Sequence, residues 1–297
     1  MSCDGLSAAL LRRNVLSNNV NHSSAGVGSR IPLFYLGHDP AFRPLASNLG
    51  EEHPFQRLAF PDFVPSQSAN PYSLRCMAEE LVKTIREQQP RGPYMMGGWC
   101  AHGVLALETA QILREQGQDV ALLVLLETIN PERLRQQTRL VRALATLQRK
   151  LNLFGLEYKY LRSLGEQHAK QYVAGELARN VKSPHSGLRR SRKVQERAPQ
   201  NHSTPLEILY AAAGNYLPRP YDAPVLLIRT RRGVLGVGGD RDLGWGKTLG
   251  KLEICETGGN HYTMYVDPNV EGLVQKVSAY LTATEQRWRG RRAQQRA

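Results

Sequence analysis

The sequence predicts an α/β fold, a mostly parallel central sheet flanked by helices, with a helical insertion. Short apolar runs alternate with stretches of helical periodicity from residue 31 to residue 126, and again from 224 to 281. The run Val120-Ala-Leu-Leu-Val-Leu-Leu126 is apolar at every position, as suits a parallel strand buried on both faces. A chain of 297 residues can bury a full core, and one domain with an insertion is the natural expectation at that length.

Each element has a local reason. Residues 1–29 are polar around Ser17-Asn-Asn-Val-Asn-His-Ser-Ser24 and read as a flexible leader or linker. Ile31-Pro-Leu-Phe-Tyr-Leu36 is a short apolar strand, followed by the loop Gly37-His38-Asp39-Pro40. Phe42, Leu45 and Leu49 space a short helix, and Arg57-Leu-Ala-Phe60 is a second strand, ended by Pro61. Leu74, Met77, Ala78, Leu81, Val82 and Ile85 fall on one helical face, and Pro90 and Gly92 stop that helix. Tyr94 to Gly97 is a buried strand; Leu105, Thr109, Ile112 and Leu113 then space a helix with Gly117 as its C-cap. After Val120–Leu126 the strand pattern vanishes, and residues from about 131 to 205 read as a charged, helical lid over the core. Strand chemistry returns at Pro224-Val-Leu-Leu-Ile-Arg229 and Lys251-Leu-Glu-Ile-Cys-Glu256, with a glycine-rich loop between them. Val270, Leu273, Val274, Val277 and Leu281 space a last helix. The expected organisation is a leader (1–29), a folded domain (30–284) and a basic tail (285–297).

Composition narrows the function. Apolar residues make up 41% and charged residues 22%, the balance of an ordinary folded protein. Cys3, Cys76, Cys100 and Cys255 are widely spaced without metal-ligand pairing, which points to no metal and to a reduced, cytoplasmic compartment. The longest apolar run is too short to span a bilayer, and the N-terminus lacks the order of a secretory signal. The net charge of +13 gathers at Arg133–Lys150, at Arg189–Lys193 and in the tail from Arg287 to Arg296. No zinc-finger spacing, RNA-binding aromatic motif or basic zipper accompanies it, so a solvated surface is favoured over nucleic-acid binding.

One stretch carries the chemistry. Gly98-Trp99-Cys100-Ala101-His102-Gly103 forms a sharp turn from the Tyr94 strand into a helix, with a nucleophile-type residue at its apex. A cysteine at a helix N-terminus meets free N–H groups and the helix dipole, both of which favour the thiolate. Catalytic groups in such sheets collect at the carboxyl ends of strands, where Glu127 follows the Val120 strand and His261 follows the Lys251 strand. The chain order nucleophile, acid, base makes His261 the proton carrier and Glu127 the group that orients its ring. Asp240 and Asp242, after the Pro224 strand, are alternative acids. Gly246-Lys247-Thr248 ends like a phosphate loop and Gly236-Val237-Gly238 begins like a dinucleotide fingerprint, but Arg241 breaks both patterns.

The segments Gly-Gly-Trp-Cys-Ala-His-Gly-Val-Leu-Ala-Leu-Glu, Leu-Leu-Val-Leu-Leu-Glu-Thr-Ile-Asn-Pro and Gly-Asn-His-Tyr-Thr-Met-Tyr resemble the thioesterase domains that end nonribosomal peptide and polyketide assembly lines. Ile31–Leu36, Phe42–Ala46 and Asn215–Tyr221 resemble the same family, so the likeness covers about residues 31–284. It implies an α/β-hydrolase fold with a helical lid and no cofactor of its own. Its substrate would be an acyl or peptidyl chain on the phosphopantetheine arm of a carrier protein, released by hydrolysis or by attack of another nucleophile, including cyclisation. Three positions depart from the family pattern. Cys100 replaces the usual serine, Glu127 the usual aspartate, and His102 occupies a place normally held by a small residue, which should crowd the turn. Gly-His-Asp also replaces the usual His-Gly after the first strand. The oxyanion donors expected are the Ala101 N–H and the Asp39 N–H. Two alternatives to a releasing thioesterase remain: an acyltransferase using an amine or alcohol, and a non-catalytic carrier-binding homologue.

Overall fold

The computed structural model describes residues 30–37, 42–50, 53–58, 73–138, 205–231, 240–261 and 263–296. Its contacts divide the chain into two units, Met1–Gln137 with Asn201–Ala297, and Thr138–Gln200. All of the second unit but Thr138, the leader 1–29, Asp39 and most of the expected lid lie outside the described residues.

Within the first unit the described elements run β1 (Leu33–Leu36), α1 (Phe42–Leu49), β2 (Phe55–Leu58), α2 (Leu74–Gln88), β3 (Tyr94–Trp99), α3 (Ala101–Glu115), β4 (Val120–Leu126), α4 (Pro131–Arg135), α5 (Pro205–Asn215), β5 (Tyr221–Thr230), β6 (Leu249–Thr257) and α6 (Asn269–Arg296). The six strands pair in the order β2-β1-β3-β4-β5-β6, parallel throughout. Parallel neighbours need crossover connections, which set helices against both faces.

Strand alternation sorts the core into two layers. Phe34, Leu36, Met96, Leu123, Leu125, Val225 and Leu227 face one side, with α2, α3 and α5. Leu33, Tyr35, Met95, Leu122, Val124, Leu226 and Ile228 face the other, with α1 and α6. Ser73 caps α2 by accepting from the Cys76 N–H at 3.1 Å, and Asn130 caps α4 through the Glu132 N–H at 2.9 Å.

Several boundaries differ from the sequence reading. Strand β2 begins two residues before Arg57, because Phe55 and Gln56 pair with Leu33 and Phe34 of β1. Strand β5 begins at Tyr221, three residues before Pro224, because Tyr221 pairs with Leu249 of β6. The stretch 285–297 is helical as far as Arg296: it continues α6, whose Thr284 and Glu285 are still buried.

Helix α3 approaches the loop after β4 closely at Gly103. A Cβ on that residue would lie 1.9 Å from Thr128 Oγ1. Gly103→Ala is therefore expected to lower stability by about 1–3 kcal/mol, as overpacking does. Thr128→Gly in the same chain should recover part of the loss in a thermal melt. An unchanged melting midpoint for the single variant would contradict the close approach.

Candidate active site

Cys100 occupies the N-cap of α3 with φ 56° and ψ −127°, a left-handed backbone that non-glycine residues rarely adopt. The surrounding structure holds it there. Its N–H donates to the Leu126 carbonyl at 3.0 Å, and its own carbonyl accepts from the Gly103 N–H at 3.0 Å. Gly98 makes the turn possible, since a Cβ there would meet the His102 carbonyl oxygen at 2.6 Å. His102 is buried and the turn closes around it, so the expected crowding does not prevent the elbow. The turn has close approaches at Gly98 and Gly103, where no side chain stands.

Glu127 also has a positive φ, 45°, and is 1% exposed. One carboxylate oxygen accepts from the Thr230 backbone N–H and from its hydroxyl, the latter at 3.0 Å. The other lies 3.4 Å from Nδ1 of His261, an ion-pair separation. His261 sits on a turn pinned by reciprocal bonds: the Asn260 N–H donates to Thr263 Oγ1 at 2.9 Å, and the Thr263 N–H donates to Asn260 Oδ1 at 3.0 Å. The imidazole stacks on Trp99 at 4.7 Å between centroids, and Tyr265 meets the same indole edge-on at 5.6 Å. Tyr35 and Tyr265 join hydroxyls at 3.0 Å beneath them.

The electrostatics favour an ionised pair. Burial alone would push the Cys100 thiol up. The charge and hydrogen bond of His261, the Tyr210 hydroxyl and the Ala101 N–H outweigh it and hold the thiol below its ordinary range. Burial opposes charging His261, but the Cys100 thiolate and the Glu127 carboxylate raise its pKa above the usual histidine value. Cys100, Glu127 and His261 thus lie together at the carboxyl edge of the sheet. The Ala101 N–H reaches the Cys100 sulfur, whereas the second expected oxyanion donor, Asp39, lies outside the described residues.

The alternative acids are engaged elsewhere. Asp240 pairs with Arg133, and both oxygens of Asp242 accept from the backbone N–H groups of Gly244 and Gly246, at 2.9 and 2.8 Å. That turn carries Trp245, whose indole donates to the Thr128 carbonyl at 2.7 Å and steadies the loop that begins at Glu127. Asp242 shapes the turn that supports the loop after β4, and Glu127 faces the imidazole.

Two neighbours carry no sequence motif. Trp99 is marked only by its place beside Cys100. Tyr210, on α5, brings its hydroxyl to 3.7 Å from the Cys100 sulfur. Its one sequence signal is that it falls off the stripe formed by Leu209 and Ala213. Among the described residues no group of three or more His, Cys, Asp or Glu could hold a metal, and no helix is long and apolar enough to cross a membrane.

Known proteins resemble this chain over part of its sequence and in its fold. The chain is 38% identical over 100 residues to the thioesterase pytI of Aspergillus terreus, covering 31% of this chain and 32% of that protein. It is 32% identical over 110 residues to the chondramide synthase cmdD of Chondromyces crocatus, covering 36% of this chain and 3% of the synthase. The matches therefore span about a third of the first relative and a small fraction of the second. Two solved folds superimpose: the RedJ thioesterase of the prodiginine pathway in Streptomyces coelicolor, and the NocB thioesterase domain from the nocardicin cluster. RedJ gives a TM-score of 0.53 at 17% identity, covering 90% of this chain and 98% of that one. NocB gives 0.52 at 22%, covering 86% and 95%. The thioesterase-domain family matches residues 34–200, more than half of the chain. With its parallel α/β-hydrolase sheet and this match, the chain belongs to the thioesterase-domain family.

Proposed function

We propose that this domain accepts an acyl or peptidyl chain from the phosphopantetheine thioester of a carrier protein onto Cys100, and then releases it by hydrolysis or by intramolecular attack. The observation that carries the reading is the strained Cys100 turn, hydrogen-bonded to an imidazole whose other nitrogen lies 3.4 Å from buried Glu127. Relatives named as chondramide synthase, polyketide synthase and dimodular nonribosomal peptide synthase support a substrate presented on a carrier. A cytoplasmic setting, where such thiols stay reduced, fits the same reading.

The steps follow from the residues. The Cys100 thiolate attacks the thioester carbonyl carbon, and the carbonyl π pair moves to oxygen, where the Ala101 N–H donates to it. Collapse restores the carbonyl and expels the pantetheine sulfur, which takes the proton of the His261 imidazolium. The neutral ring then removes a proton from the incoming water, hydroxyl or amine. Its attack releases the product and returns the proton to the pair. Glu127 keeps Nδ1 protonated so that Nε2 faces the sulfur.

The sulfur nucleophile favours a second reading for the release step. Passing an acyl group from one sulfur to another exchanges one thioester for another, so the acyl-enzyme keeps its activation; an oxygen ester on serine would be less electrophilic toward amines. An acyltransferase that condenses the chain with an amine or alcohol is therefore the runner-up. Cys100→Ser tests it: with a carrier-loaded acyl substrate and an added amine, the ratio of transfer to hydrolysis should fall severalfold. An unchanged ratio would remove the advantage assigned to sulfur.

A carrier with an acidic face would dock on basic clusters such as Arg133 to Lys150 and the tail. Of these, Arg133 pairs with Asp240, and Arg135 donates to the carbonyls of Gly214 and Tyr216 at 2.7 and 3.0 Å. Arg139, Arg142, Arg149 and Lys150 lie outside the described residues. The exposed arginines at the end of α6 are the described surface best suited to an acidic partner.

A further inference from the structure

Tyr210 projects toward the reacting sulfur from a helix fastened to the nucleophile's own helix. Its neighbours Ile208, Leu209 and Ala213 are buried on the α3 side of the sheet. At the far end of α5, the Tyr216 hydroxyl donates to the carboxylate of Glu108, a residue of α3 that is 1% exposed. Arg219 donates to both oxygens of the same carboxylate at 3.1 Å. Arg135 holds the Gly214 and Tyr216 carbonyls. The middle of α5 is thus set by burial and its C-terminal end by hydrogen bonds, and they hold the phenol 3.7 Å from Sγ.

A phenol beside a thiolate donates its proton to the charge. When the thiolate attacks a thioester, that charge leaves the sulfur for the carbonyl oxygen, one bond angle away. A donor held at the sulfur then faces a neutral thioether-like atom and a new anion within reach. The Ala101 N–H is fixed in the backbone, whereas the phenol can turn about its side-chain bonds and follow the charge. We propose that Tyr210 is a further catalytic residue of this site: its O–H holds the Cys100 thiolate in the resting enzyme and then donates to the developing oxyanion beside the Ala101 N–H. Tyr210 keeps its proton throughout; the only proton transferred in the acylation step passes from His261 to the departing pantetheine sulfur. The proposal rests on Cys100 being the acylated nucleophile.

The test uses the full chain with Tyr210→Phe, which keeps the ring and removes the hydroxyl. The octanoyl thioester of N-acetylcysteamine serves as a small pantetheine mimic, and iodoacetamide as a probe of the thiolate. Single-turnover acylation of Cys100, followed by intact mass, should slow by about tenfold to a hundredfold, below the full effect of a backbone oxyanion donor. The pH profile of Cys100 alkylation should move to higher pH, while KM and the melting midpoint stay near the original values. A merely structural tyrosine would shift the midpoint and leave the pH profile alone. Acylation within about threefold of the original chain, or an unmoved alkylation profile, overturns the role of Tyr210. An original chain that forms no adduct on Cys100 overturns the thioesterase reading and this proposal together. An adduct that forms equally fast in Tyr210→Phe overturns only the proposal.

Discussion

Replacing His261 with alanine should slow iodoacetamide alkylation of Cys100 at about pH 6.5 by up to roughly a hundredfold, because an unassisted thiol of pKa near 8.5 is only about 1% ionised there. The direction follows from the pair. In the native site the imidazolium holds the thiol below its ordinary range, and the thiolate holds the ring above its own. The charged pair therefore persists between the lowered thiol value and the raised histidine value, and reactivity should be nearly flat across neutral pH. Without the ring, burial of the sulfur is opposed only by Tyr210 and the Ala101 N–H, and ionisation moves to alkaline pH. Thioester turnover should fall further than alkylation, by about 10²–10⁴, because the proton carrier is lost as well. A His261→Ala chain that alkylates at neutral pH as fast as the original would show that the imidazole does not ionise this sulfur.

Glu127→Gln is the second large effect. Glutamine has nearly the same shape, and its carbonyl oxygen can still accept from the Thr230 N–H and hydroxyl that now hold one carboxylate oxygen. The amide NH2 then faces Nδ1 of His261, where the carboxylate oxygen stood at 3.4 Å. A donor facing Nδ1 reverses the tautomer and turns the protonated nitrogen toward the sulfur, and it removes the charge that stabilises the imidazolium. Turnover should drop by about 10²–10⁴ with little change in the melting midpoint. The readout is kcat with a carrier-loaded acyl chain beside a thermal melt. If Asp242→Asn lowered turnover by that factor and Glu127→Gln did not, the acid would have been misassigned.

Much of this molecule is legible in the chain because its signals are local. Val120–Leu126 is apolar at every position and is buried at every position as β4, and the α2 stripe read from Leu74 to Ile85 matches the buried face residue for residue. The closeness of Cys100, Glu127 and His261 is legible because each follows a strand, and parallel strands bring those ends to one edge. Tyr210 was not visible: its closeness to Cys100 depends on α5 crossing α3, fixed by a contact between Glu108 and Tyr216 more than a hundred residues apart. The part played by Asp242 was hidden for a related reason. A carboxylate that accepts two backbone N–H groups within its own turn has the same sequence context as one that faces a histidine. The tail near Arg287 read as separate because its charge masks a helix that begins at Asn269 on apolar spacing.

In the proposed mechanism a sulfur at the strand-to-helix bend takes an acyl group from pantetheine. Intact-mass analysis after mixing the chain with acyl-loaded carrier protein measures this directly. The expected result is a mass increase equal to the acyl group, mapped to Cys100 and absent in Cys100→Ala, that decays as free product appears. Product release without any adduct on Cys100, or with full rate in Cys100→Ala, would contradict it.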